Sequence, residues 1–366
     1  MKGIGVAALL LILAGTSYAQ VGDPARGSTL YHSTYKCTDC HGDPPNPNLL
    51  GDKLLLRNGT TSAGIVAAIN NPEMLQYLGV LDQRPQDLAD LAAYIATLAA
   101  SAPPPAANYQ GLWWNAPANS ESGWGINFAH QGNTIFASWF TYDLAGKGMW
   151  LVMTAGQTAP NTYSGTLYST KGPPFNAVPF SPAQVTATAV GNGILTFSDA
   201  NNGTFSYTVN GIAQNKTITR EVFGTLPTCA AAASGASLTA AINYQDLWWA
   251  APAGTESGWG INLNHQGDTI FATWFTYDLD GSPMWLVVTA GKTAPGVYTG
   301  TLYRTTGPAF NSVPFIPANV AATAVGMATF TFADGNDATF AYTVNGIAQQ
   351  KTITREVFSG AGTVCQ

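Results

Sequence analysis

Cys37-Thr38-Asp39-Cys40-His41 contains the residue types with the most definite chemistry in the chain. Thiols at this spacing reach the two vinyl groups of one haem and form thioether bonds, and the adjacent imidazole then lies under the iron as proximal ligand. Cys37 and Cys40 are therefore the candidate covalent anchors of one haem c, and His41 is the candidate iron ligand. The competing chemistry is a bare redox or zinc Cys-x-x-Cys. Zinc calls for two more thiol or imidazole ligands nearby, and only His32 is on offer.

The elements around this run read as helices. Asp23-Pro24-Ala25-Arg26 looks like a helix start, with Asp23 as N-cap and proline in the first turn. Ser62 reads as the cap of a short helix running through Ile69. Pro85 opens a third helix, in which Leu88, Leu91, Ala92, Ile95 and Leu98 share one face at the 3.6-residue period.

Residues 21–100 resemble a small class I cytochrome c. Besides the haem-attachment run, the likeness rests on Pro47-Asn48-Leu49 and on Gly27, Tyr31 and Tyr94, which match the family's pairing of first and last helices. The resemblance implies an all-α haem domain. It also implies that the Pro47 carbonyl orients His41 from the second shell, and that Met74, the only methionine of the segment, is the distal iron ligand. His32 is the alternative distal ligand, poorly placed a few residues before the anchoring cysteines. His/Met ligation leaves no open coordination position, so the implied activity is carriage of single electrons.

Met1-Lys2 and the apolar run from Ile4 to Leu13, followed by Ser17-Tyr18-Ala19, read as a signal peptide over residues 1–19. The run is too short to span a bilayer, and no transmembrane segment is expected in the mature chain. Periplasmic or extracellular placement agrees with thiol-linked haem. Charged residues make up 9% of the chain and the net charge is −6, which argues against nucleic acid as a partner.

Beyond Pro103-Pro104-Pro105, in a linker at residues 101–107, the chain repeats itself. Residues 108–223 align without a gap onto residues 243–358; 33 of the 116 positions differ and 83 are identical. Residues 224–242 join the copies and 359–366 form a tail. In the first copy, eight short segments with period-two character, bounded by Gly, Asn, Asp or Pro, predict an up-and-down meander closing into a small barrel. A two-sheet sandwich is the alternative. The expected fold class is thus an all-α cytochrome c-like haem domain followed by two all-β repeats.

Each copy carries five tryptophans and a few recurring polar residues. Trp113, Trp114, Glu121, Trp124 and His130, with counterparts Trp248, Trp249, Glu256, Trp259 and His265, are candidate ligand-binding residues. They read as one barrel end with convergent polar groups over an aromatic floor; core filling is the competing reading. Two adjacent tryptophans on one strand cannot both face inward. Cys229 and Cys365 are the leftover thiols, and in an oxidising compartment they are a candidate disulfide.

The function these features point to is an exported monohaem electron carrier with a duplicated β-module for docking or ligand binding. Its partners would be redox proteins and a surface or polysaccharide ligand. The alternatives are a haem redox enzyme such as a peroxidase, or a carbohydrate- or surface-binding protein with an accessory haem domain.

Overall fold

Alternation in the repeats produces strands, and the strands close. In the computed structural model the described residues are 21–41, 43, 45, 55–56, 59–70, 80–81, 83–101, 107–232, 238–359 and 362–366. The chain divides into two units, residues 1–105 and 106–366.

In the second unit, the first copy forms strands Gly111–Asn115 (β1), Gly125–Gln131 (β2), Thr134–Tyr142 (β3), Gly148–Ala159 (β4), Thr162–Lys171 (β5), Thr186–Phe197 (β6), Asn202–Val209 (β7) and Ile212–Arg220 (β8). Each is hydrogen-bonded to the next, and β1 to β8, so the meander is a closed antiparallel barrel and not a sandwich. The second copy repeats this from Asp246–Ala250 to Ile347–Arg355. Eight strands leave an interior that side chains just fill. Trp113, Trp139 and Phe205 of the first barrel and Trp248, Trp274 and Phe340 of the second are fully buried.

The two barrels form one body through reciprocal contacts. Trp150 donates its indole N–H to the Thr276 carbonyl at 3.0 Å, and Trp285 donates to Thr141 at 3.0 Å. Each barrel is also plugged by the other copy. Phe310, from the long loop of the second copy, packs edge-on against Trp139 (centroids 6.1 Å apart), and its carbonyl accepts from the Tyr207 hydroxyl at 3.2 Å. Phe175 of the first copy does the same to Trp274 and Tyr342, at 6.1 and 2.9 Å. The segments leaving the barrels cross over as well. Gln131 accepts from the Phe358 and Ser359 amides and donates to Glu356, while Gln266 does likewise with Phe223, Gly224 and Glu221.

In the first unit, Asp23 caps the helix Pro24–Thr29 (α1), its carboxylate accepting from Ala25 N–H at 2.9 Å. A π-helical turn, Leu30–Thr34, leads to Thr38–His41 (α2). Ser62–Ile69 (α3) is capped by the Thr61 hydroxyl, which takes Gly64 N–H at 3.0 Å, so the cap lies one residue earlier than the sequence suggested. Pro85–Ser101 (α4) crosses α1 at Gly27, where a Cβ would stand 1.9 Å from the Asp90 carbonyl oxygen. Arg26 is ion-paired with Asp87 and Asp90 at that crossing.

The expectation of an all-α class I cytochrome c-like domain is overturned. The chain is a β protein, two closed eight-stranded barrels preceded by a few short helices. Among the described residues, no three or more His, Cys, Asp or Glu side chains are grouped to hold a metal ion. A 3.6-residue period and a Cys-x-x-Cys-His run specify helices and a pair of thiols. They do not specify how helices are arranged around a cofactor, and that was the step taken from the resemblance.

The plugging aromatics are buried between copies, so truncating one leaves a cavity that neither barrel can fill. Phe310→Ala should destabilise the barrel unit by about 3–5 kcal/mol. All ten tryptophans lie in the repeats, so urea titration followed by tryptophan fluorescence reads this unit directly. An unchanged midpoint would show that the plug contributes nothing.

Candidate functional sites

The Cys37–His41 segment is a single helical turn. Cys40 and His41 both donate their backbone N–H to the Cys37 carbonyl, at 3.2 and 2.9 Å. Both cysteines are free thiols; Cys37 is half-buried and Cys40 exposed. Cys37 packs on an apolar cluster that includes Tyr31, Ile65, Ile69 and Leu91, and burial pushes its thiol up to about 11, so it is protonated at neutral pH. One turn thus carries two thiols and an imidazole, the first thiol against an apolar surface; these are the residue types that hold haem c where it is bound. A bare zinc site finds no such group of ligands among the described residues. His32 is engaged elsewhere: its Nδ1 lies 2.8 Å from the Ser28 carbonyl and its Nε2 2.9 Å from the Asp43 carboxylate. Pro47 and Met74 lie outside the described residues.

The candidates in the repeats separate into two groups. Trp124 precedes β2 and His130 sits near its far end, about 20 Å away at roughly 3.3 Å per residue. His130 is buried, stacked on Tyr109 with centroids 5.5 Å apart. Its Nδ1 accepts from the Tyr109 amide at 3.0 Å, and its Nε2 lies 3.2 Å from the Tyr163 hydroxyl. Burial drives the ring down to about 4, so it is neutral at pH 7. Trp113 belongs to this same end, donating to the Tyr109 carbonyl at 3.0 Å with the Arg220 guanidinium over its face. His265, Tyr244, Tyr298, Trp248 and Arg355 repeat the arrangement.

The second group is an ion pair under a tryptophan. Lys216 approaches both Glu121 oxygens, at 2.9 and 2.6 Å, while Trp124 donates to Glu121 at 2.9 Å and lies beneath the ammonium. In the second copy, Lys351 meets Glu256 at 2.6 Å and Trp259 donates to it at 2.9 Å. Trp114 and Trp249 lie half-buried on the outer face, their indole N–H groups buried and unpartnered. A serine nucleophile is not assembled: the Ser122 hydroxyl donates to the Asn119 carbonyl at 3.4 Å, while His130 is held by Tyr109 and Tyr163.

Sequence reasoning missed Lys216, Lys351, Tyr109, Tyr163 and the plugging phenylalanines. Lys216 could have been found, because a charged residue at an inward-facing position of β8 needs a buried partner. Cys229 and Cys365 face each other across the antiparallel strands Cys229–Ala231 (β9) and Thr363–Cys365 (β10) and are joined by a disulfide. Comparison with protein-family models, curated proteins and solved structures gives no match. No helix among the described residues is long and apolar enough to cross a membrane.

The buried histidines make the barrel unit sensitive to acid. An unfolded histidine titrates near 6.5 and the folded one near 4, so between these values the unfolded chain binds more protons and stability falls as pH falls. Glu221 and Glu356, pushed up to about 7 by burial, act in the opposite sense, gaining stability as pH falls from 7. His130→Asn isolates the histidine contribution. Between pH 6 and 4.5, the unfolding free energy of the wild type should fall relative to this variant by about 1 kcal/mol per pH unit. Parallel urea midpoints across that range would contradict a buried neutral His130.

Proposed function

We propose that this chain is an exported protein that carries one covalently attached haem on Cys37 and Cys40, with His41 toward the iron, and passes single electrons. Its barrel pair is the body that docks it or binds a ligand. The observation that carries the redox reading is the placement of Cys37 and Cys40 about one helical turn, with His41 next in sequence. The other two cysteines are bonded to each other, and a disulfide belongs to an oxidising compartment, the setting in which haem is joined to thiols. The signal-like start of the sequence supports the same placement in the periplasm or outside the cell.

When bound, haem supplies a one-electron iron couple. The protein's part is to anchor and to exclude water. Cys37, packed against the apolar cluster, would fix one edge against a dry surface, and Cys40 would fix the exposed edge. The net charge of −6 favours redox partners with a basic face. The barrels support a binding role through their interior, which is packed with side chains and leaves chemistry only at the mouths.

The test is covalency. The full chain, produced with a haem-attachment system, should keep its haem through acid–acetone extraction and show a thioether-type pyridine haemochrome spectrum. Cys37→Ser and Cys40→Ser should each shift that spectrum toward one free vinyl group, and the double variant should lose haem on extraction. Free, alkylatable thiols in the wild type under these conditions would refute the proposal.

A further inference from the structure

The two barrel mouths are built from the same ion pair, yet the residues around it differ. Over the second barrel lies a cavity of ≈ 270 Å³, lined by Glu256, Gln350, Lys351 and Thr352, by Ala250 and Ala251, and by Ala177 and Val178 reaching across from the first copy's plugging loop. Both protein contacts of the Glu256 carboxylate fall on Oε2, from Lys351 at 2.6 Å and Trp259 at 2.9 Å. Oε1 is left as an open acceptor. In the first copy, Lys216 engages both oxygens of Glu121.

Two substitutions distinguish the mouths. Asn115 stands where the second copy has Ala250, and its amide donates to the Ala116 carbonyl at 3.2 Å and to the Ser120 hydroxyl at 3.0 Å. Ser312 stands where the first copy's loop has Ala177. Both leave a small alanine at the second mouth where the first has a polar side chain, while Gln350 at the second rim replaces Asn215.

We infer that this cavity is a binding site for a neutral polyhydroxyl ligand, one sugar ring in size. The inference rests on the reading of the barrel pair as a ligand-binding body. The cavity carries no net charge, because Lys351 neutralises Glu256. That disfavours phosphate or a free carboxylate, and a zwitterion would have to break the pair. A vicinal diol needs an acceptor and a donor side by side, which are the open Glu256 oxygen and the remaining ammonium protons of Lys351. Gln350 and Thr352 lie at the exposed rim. Ala177, Val178 and Ala250 give an apolar wall for the C–H face of a ring. The volume is a little below the roughly 300 Å³ at which drug-sized sites begin, which suits one ring of a longer chain.

Saturation-transfer NMR on the full chain, with methyl glucoside, methyl galactoside and N-acetylglucosamine as probes, tests this. Glycine and methyl phosphate serve as controls. At least one sugar should receive saturation, and the controls should not. Ala250→Asn, which installs a residue the first copy already accommodates, should abolish the signal. Asn115→Ala with Ser312→Ala should open the first mouth and raise the stoichiometry measured by titration from one site to two. No transfer to any sugar, transfer to the controls instead, or sugar binding that survives Ala250→Asn would each overturn the assignment. None of these outcomes bears on the covalent-haem test, so the two readings fail separately.

Discussion

Two phenylalanines hold the larger part of this molecule together. An eight-stranded barrel closes its own walls but not its ends, and the aromatic column inside each copy would meet water at one mouth. Phe310 covers Trp139 and Tyr207, and Phe175 covers Trp274 and Tyr342. Each plug comes from the opposite copy, so neither barrel is finished without the other. The glutamine clamps on the crossing segments and the paired indole-to-carbonyl bonds follow from that geometry. Once the loops are exchanged, the outer faces of the two sheets must also meet.

The buried histidines and arginines of the barrels are each matched to a partner, and the matching sets where chemistry remains. His130 and His265 are held neutral between a backbone amide and a tyrosine hydroxyl, which suits a structural strut and not a proton donor. Arg355 meets Asp246 at 3.1 Å. In the first copy the corresponding position is Gly111, and Arg220 is satisfied by the carbonyls of Asn108, Gln110 and Ala200. The Glu256–Lys351 pair lies beside open space at the mouth of the second barrel.

Much of the local structure was legible. The eight segments of each copy are strands, as their period-two character predicts, and Asp23, Pro24 and Pro85 mark helix starts as their chemistry requires. The tryptophan pairs divided as the two-residue period demands: Trp113 and Trp248 are inside, Trp114 and Trp249 outside. Tertiary arrangement was not legible. Glu121 and Lys216 are 95 residues apart, and Phe175 reaches a barrel whose tryptophan is 99 residues further on. Neither leaves a periodic trace. The helical unit failed differently: matching a few residues to a known family supplied an arrangement that the helices themselves do not encode.

The exchanged loops also bear on dilution. Had the module stayed single, finishing its barrel would have required a second molecule, and the fraction of complete protein would have fallen with concentration. Joining two copies on one chain, through residues 224–242, makes the exchange intramolecular. Each plug then meets its barrel at the high effective concentration that a short tether sets. Completion becomes independent of how much protein is present. It also means that a change in one copy's loop must be tolerated by the other copy's interior, so the halves are bound to vary together.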